Sequence, residues 1–225
     1  MSWMLHFFRS SLGSKYLMAI TGLGVYGFFI VHILGNLTLF AGQDAMNNYA
    51  IALREIPFGG LWIARLGLVA MFAIHIVTAI RLTAANKSAR PQGYAKGNTI
   101  QASFASRFMP QTGMIILAFV IFHLAHFTWR VVAYDGPYVD SMGRDDVYTM
   151  VVAGFQQPLL SVFYMAAVIL VGIHLSHGSK SMFQSLGLNH PKYRTFINLV
   201  PPSIGWLVAL AGVSIPLAVL LGIVK

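Results

Sequence analysis

Residues 16–41 read YLMAITGLGVYGFFIVHILGNLTLFA, and this stretch decides the fold. No charged residue lies between Lys15 and Asp44. At about 1.5 Å per residue, a helix of this length crosses the roughly 30 Å hydrocarbon core of a bilayer. His32 sits well inside the run, in His32-Ile33-Leu34-Gly35-Asn36. An imidazole in lipid is costly unless it is paired or ligates something, so it marks a candidate functional site.

Four further apolar runs follow. Helices are expected at about 16–41, 61–84, 109–133, 156–178 and 203–224, the last bent at Pro216. Residues 1–15 read as a short lead, 42–60 and 134–155 as loops, and 85–107 and 179–202 as polar, basic connections. The whole chain, 1–225, therefore forms one domain, an all-α five-helix transmembrane bundle. The composition agrees, with 57% hydrophobic and only 9% charged residues. A net charge of +9 taken alone suits a nucleic-acid protein, but the cations lie between apolar runs rather than on an aqueous face. The absence of cysteine excludes disulfides, thiolate-bound iron–sulfur clusters and covalent haem attachment within the chain. The first run is too long for a signal-peptide core and is read as retained.

Charge sets the orientation. With five alternating spans, the N-terminus and the 85–107 and 177–200 connections share one side. That side holds Arg9, Lys15, Arg81, Lys87, Arg90, Lys96, Arg107, Lys180, Lys192 and Arg194 and no acid. All six acidic residues fall on the other side. The positive-inside rule makes the basic side cytoplasmic and places the C-terminus outside.

Depth then follows from helical rise. His32 and His123 lie roughly 24 and 21 Å above the basic-side ends of their helices, whereas His75 and His174 lie roughly 13 and 6 Å above theirs. The four sort into an outer pair and an inner pair. Two imidazoles at one level can fill both axial positions of a non-covalent b-type haem, favouring electron transfer over oxygen binding. A lone intramembrane histidine serves equally well as an interhelical hydrogen bond or a proton relay, and only the layering argues for two haems. Gly22, Gly24, Gly27, Gly35 and Gly172 either let a macrocycle approach the backbone or serve ordinary close packing. His126 and His177, each one turn beyond a layered histidine, read as interfacial contacts to propionate or quinone, or as a polar rim. Arg65, Arg130, Arg81 and Lys180 either balance propionates or snorkel. His6 and His190 carry no clear signal.

The chain resembles the di-haem cytochrome b subunit of succinate dehydrogenase and fumarate reductase. The matching stretches are Ser11-Leu12-Gly13-Ser14-Lys15, Met18-Ala19-Ile20-Thr21-Gly22, His32-Ile33-Leu34-Gly35-Asn36 and Ala73-Ile74-His75. They continue with Gly113 ten residues before His123, His174-Leu175-Ser176-His177-Gly178, and Phe183 to Tyr193. The resemblance implies haem-iron ligation by His32, His75, His123 and His174, and the 113-to-123 spacing favours His123 over His126. It also implies a flavoprotein partner with FAD and the dicarboxylate site, an iron–sulfur partner, and a quinone, commonly menaquinone, as electron acceptor. No catalytic residue is expected in this chain. The expected location is the bacterial cytoplasmic membrane, with the basic segments 85–107 and 177–194 as the docking surface. Some relatives carry a glutamate two residues before the fourth ligand for proton movement. Gly172 stands there, so that pathway is not carried over. The quinone site is expected near the outer haem, with Asp44, Glu55 and the 135–146 acids nearby, more simply as solvated loop residues. The rival readings are the haem b anchor of a hydrogenase or formate dehydrogenase, and a non-redox transporter relaying protons through histidines.

Overall fold

Ser10 starts the first span. Its hydroxyl accepts from the Gly13 amide at 3.0 Å and caps helix α2 (Ser11–Asn36), while donating to the Phe7 carbonyl of the preceding short helix α1 (Ser2–Arg9). A Cβ at position 13 would collide with the Phe7 carbonyl, so the tight α1–α2 corner requires glycine there. The computed structural model describes residues 2–89 and 104–225. The expected 85–107 docking segment therefore lies mostly outside the described residues.

A 3₁₀ extension carries the first span to Ala41, and the remaining spans are Pro57–Ser88, Met109–Thr128, Pro158–Ser185 and Pro191–Leu220. Their helical cores are α4 (Gly60–Ser88), α6 (Met109–His123), α8 (Pro158–Ser185) and α9 (Arg194–Leu220). All five are long and apolar enough to cross a membrane, and no strand is present among the described residues beyond one isolated bridge, Val139–Asp145. The protein is an all-α, multi-pass bundle. Connecting helices are α3 (Gln43–Arg54), α5 (Phe104–Arg107) and α7 (Val147–Phe155).

Several boundaries differ from the sequence expectation, each for a physical reason. Helix α8 runs seven residues past the expected 178, and α4 past 84, because polar residues continue a helix beyond the apolar zone that a hydropathy reading detects. Helix α9 begins at Arg194, so Pro201 and Pro202 lie inside it rather than ahead of it. The Pro201 carbonyl accepts from the Tyr26 hydroxyl at 2.7 Å, tying α9 to α2. The third span changes to a wider π-helical turn over Leu124–Thr128 and ends before 133, where Arg130 (φ 57°) and Ala133 (φ 50°) turn the chain. Helices α3 and α7 replace two expected loops.

Packing is uneven. Helices α8 and α9 pack most closely; a Cβ at Gly205 would sit 3.1 Å from the Ser176 nitrogen. By contrast, only 6% of the most apolar window of α4 is buried, against 39% for α9. Helix α4 packs chiefly on α2 and barely on α6. One buried cluster gathers at the acidic side, including Leu39, Met46, Phe119, Phe155 and Tyr164. The C-terminus closes on the same side, with the Tyr148 hydroxyl donating to the Lys225 carbonyl at 3.0 Å.

Candidate functional site: two histidine layers

In the acidic-side layer, His32 of α2 faces His123 of α6, their ring centroids 5.8 Å apart and their planes at 89°. Two opposed nitrogens each about 2 Å from a shared metal would place imidazole centroids about 6.3 Å apart, roughly half an ångström wider than this pair. Aromatic rings surround the pair. Phe28 stacks on His32 at 5.2 Å, and Phe119, Phe127 and Tyr164 lie 5.7–6.0 Å from His123. His123 Nδ1 is buried with no hydrogen-bond partner. An unsatisfied buried polar atom costs about 1–3 kcal/mol. On His32, Asn36 Nδ2 approaches Nε2 at 3.4 Å but makes its shorter bond, 2.7 Å, to the His32 carbonyl.

The basic-side layer is built differently. His75 of α4 lies against Thr21 and Gly22 of α2, with Thr21 Oγ1 3.4 Å from His75 Nδ1. His174 of α8 lies against Thr112 and Gly113 of α6, with Thr112 Oγ1 3.1 Å from His174 Nδ1. A Cβ at Gly22 would stand 3.3 Å from His75 Cε1, and one at Gly113 would stand 3.5 Å from His174 Cε1. The two imidazoles lie within electrostatic reach of each other. Along α2 from Gly22 to His32, and along α6 from Gly113 to His123, the separation is ten residues, or about 15 Å. The layers are thus about half a hydrocarbon core apart.

A b-type haem is held through two axial nitrogens and apolar walls. The residues present fit such a group: imidazoles at two depths, one pair of them facing, a largely uncovered α4 beside them, and an orphaned nitrogen on His123. Among the described residues no cluster of three or more His, Asp or Glu side chains is placed to hold a metal ion; a two-imidazole site is smaller than that.

The glycines divide. Gly22 borders a layered histidine, as Gly113 does, and a Cβ at Gly27 would meet open space. Gly24 faces Met71, Gly35 faces Tyr49, and Gly172 faces Ala209 and Trp206, so these three serve helix packing. His126, expected near the interface, is only 2% exposed. It stacks on Phe127 at 3.9 Å, and its Nδ1 pairs with the Tyr164 hydroxyl at 3.0 Å. The packed aromatic core has enclosed it, so it is not a rim residue. His177 bonds the Ser181 hydroxyl one turn on, through Nε2 at 3.2 Å. Arg65 is exposed and lies over Trp62 at 5.1 Å, and Arg81 is exposed. Lys180 lines a cleft of about 330 Å³ with Gln184, Asn189, Pro191, Arg194 and Asn198. His190 caps a turn, its Nδ1 accepting from the Lys192 amide.

Arg130 has its own partner. It grips Asp145 through two nitrogens at 2.8 and 2.7 Å, and Arg54 reaches the same carboxylate at 2.5 Å. The Arg130 hydrogen bond foremost holds Asp145 below the ordinary carboxylate range, despite its burial. Asp146 is 4% exposed and faces no cation; it accepts from Gln43, Asn47 and Thr149. Burial would raise its pKa, but these donors outweigh it and the net shift is downward. Arg144 joins Asp140 and Asp44. These acids were expected as solvated loop residues. Four of them instead lock α3 to the 135–146 segment as a cap over the acidic side.

No family model, curated protein or solved structure matches the chain.

Sequence reasoning missed Thr21, Thr112, Tyr164 and the Asp146 cap. A signal existed for the first two. Thr-Gly occurs ten residues before a histidine in both α2 and α6, a spacing repeated within the chain. For the cap, Asp146 ahead of the apolar Val147–Phe155 run is a helix-start pattern.

Proposed function

We propose that this chain is the di-haem cytochrome b membrane anchor of a succinate:quinone oxidoreductase in a bacterial cytoplasmic membrane. The observation that supports it most is the facing of His32 and His123, 5.8 Å apart at one depth, with His75 and His174 each seated on a neighbouring helix at a second depth. His75 and His174 would hold the basic-side haem, and His32 and His123 the acidic-side haem. The haems would supply one-electron carriers within an otherwise insulating bilayer. The chain's own residues provide neutral nitrogen ligands, aromatic walls that exclude water from the acidic-side layer, and an order of positions running from one face to the other. A flavoprotein with FAD and an iron–sulfur protein would dock on the basic face, which carries Lys87, Arg107, Lys180, Lys192 and Arg194. Quinone, by this reading menaquinone, would exchange electrons near the acidic-side pair.

Redox difference spectroscopy on the purified membrane protein tests the reading. Reduced b-type bands with two haems per chain are expected, together with co-purification of a flavoprotein that oxidises succinate. A colourless, folded preparation would refute it, while haem without succinate oxidation would move the chain to another respiratory enzyme.

A further inference from the structure

The two histidines of the basic-side layer share a support, a threonine hydroxyl from the neighbouring helix at Nδ1, that neither acidic-side histidine has. Thr21 Oγ1 lies 2.6 Å from the Leu17 carbonyl of its own helix and 3.4 Å from His75 Nδ1. Thr112 Oγ1 lies 3.1 Å from the Met109 carbonyl and 3.1 Å from His174 Nδ1. A hydroxyl has one hydrogen and two lone pairs. A threonine that gives its hydrogen to its own backbone carbonyl, as Thr21 does at 2.6 Å and as Thr112 can at 3.1 Å, has only acceptor capacity left for the imidazole. The ring nitrogen facing it must then carry the proton.

We propose that Thr21 and Thr112 are positioning residues that fix His75 and His174 as Nδ1–H tautomers, leaving each Nε2 with the lone pair that a metal takes. Gly22, next in sequence, leaves room for the His75 ring to lie flush on α2, and the His174 ring lies beside Gly113 at ordinary contact distance. The device is a Thr-Gly notch used twice, once by α2 for α4 and once by α6 for α8. This rests on the haem reading above and extends it to two residues outside the ligand set. A hydrogen bond accepted from Nδ1–H raises the basicity of the coordinating nitrogen and favours the ferric state. It also sets which nitrogen faces the metal.

The test uses the assembled complex carrying Thr21→Val, Thr112→Val, Thr21→Ser or Thr112→Ser. The readouts are haem content, a redox titration of each haem and the low-temperature EPR spectrum of the ferric form. Each valine variant is expected to shift the midpoint potential of the basic-side haem upward and alter its EPR signal, leaving the other haem unchanged. The serine variants should restore both properties. Loss of the basic-side haem alone in a valine variant, with retention in the serine variant, supports the same conclusion. Two haems with potentials and spectra identical to the parent in both valine variants would overturn the threonine role while leaving the cytochrome reading intact. Serine variants that shift as far as the valine variants would also overturn it, since the hydroxyl would not be the cause. A parent complex without haem would overturn both proposals.

Discussion

The two histidine layers are held by different physics. On the basic side each imidazole lies on a notch in a neighbouring helix and is oriented by a hydroxyl 3.1 or 3.4 Å from Nδ1. On the acidic side the pair is held by aromatic packing, and His123 Nδ1 has no partner at all. Hydrogen bonds fix a ring's tautomer and rotation, whereas packing fixes only its place. The first layer is therefore organised before anything binds, and the second has an unmet demand that a ligand or a small rotation would satisfy. The surroundings are reversed: the acidic side has the buried core and the ion-paired cap, and the described residues of the basic side form no matching cap.

On the proposed haem reading, the histidine substitutions should give the largest effect. Replacing His32 or His123 with alanine is expected to remove the acidic-side haem and halve the haem content, and replacing His75 or His174 should remove the other. Pyridine haem quantitation with EPR distinguishes the two losses. If all four variants kept two haems, neither layer would be a ligand pair and the comparison between them would collapse.

Asp146→Ala comes next, and it should affect one layer only. The carboxylate accepts from Gln43, Asn47 and Thr149 inside a nearly closed cap. Its removal strands buried donors and a helix N-cap, at about 2–4 kcal/mol. Thermal melting should fall, and protease should cut between α3 and α7 while the basic-side haem stays intact. The pH dependence follows from the same bonds. Asp145 and Asp146 both have lowered carboxyl pKa values. Their contribution is therefore fully present above the ordinary value of 3.8 and is lost as the pH falls through the lower folded values. Amide protection factors across 135–150, corrected for the intrinsic pH dependence of exchange, should be flat from neutral pH down to about pH 4 and fall below that.

How much of this was legible in the sequence depends on what each feature required. The five spans were legible because lipid imposes one simple demand, a long apolar run with satisfied backbone. The layering of His32, His75, His123 and His174 was legible because rise per residue converts position into depth. Helices α3 and α7 were not, because their polar or short apolar character resembles a loop until Asp146 and Asn47 are seen to meet 99 residues apart. His126, one turn beyond His123, reads in the sequence as an interfacial contact to propionate or quinone or as a polar rim; the π-helical turn and Tyr164 place it in the core instead. Thr21 and Thr112 are ordinary residues on any helix, and only the docking of α4 and α8 gives them a role.

Tyr164→Phe probes the packed layer more gently. It deletes the hydroxyl that pairs with His126 Nδ1 at 3.0 Å but keeps the ring among Phe119, Phe127 and Phe155. A buried imidazole nitrogen loses its partner, so a loss of about 1–3 kcal/mol in thermal stability is expected with both haems retained. Loss of the acidic-side haem instead would show that His126 and Tyr164 hold His123 in place, giving that layer a polar support of its own.

The smallest effect distinguishes the two notches from each other. Gly22→Ala would put a methyl 3.3 Å from His75 Cε1, closer than an ordinary contact, so the ring must yield by a few tenths of an ångström. Gly113→Ala would put it 3.5 Å from His174 Cε1, within ordinary van der Waals range. Alanine favours a helix over glycine by up to about 1 kcal/mol in both places. For Gly113→Ala that gain should stand as a slightly higher melting temperature and an unchanged basic-side haem. For Gly22→Ala the displaced ring offsets it, and the Thr21 contact, already longer at 3.4 Å than the 3.1 Å of Thr112, lengthens further. The basic-side potential should then move upward in Gly22→Ala alone, the direction expected of Thr21→Val and by a smaller amount. Equal shifts in the two alanine variants would mean that the two notches bear equally on the metal-facing nitrogens, whatever their difference in hydrogen-bond length.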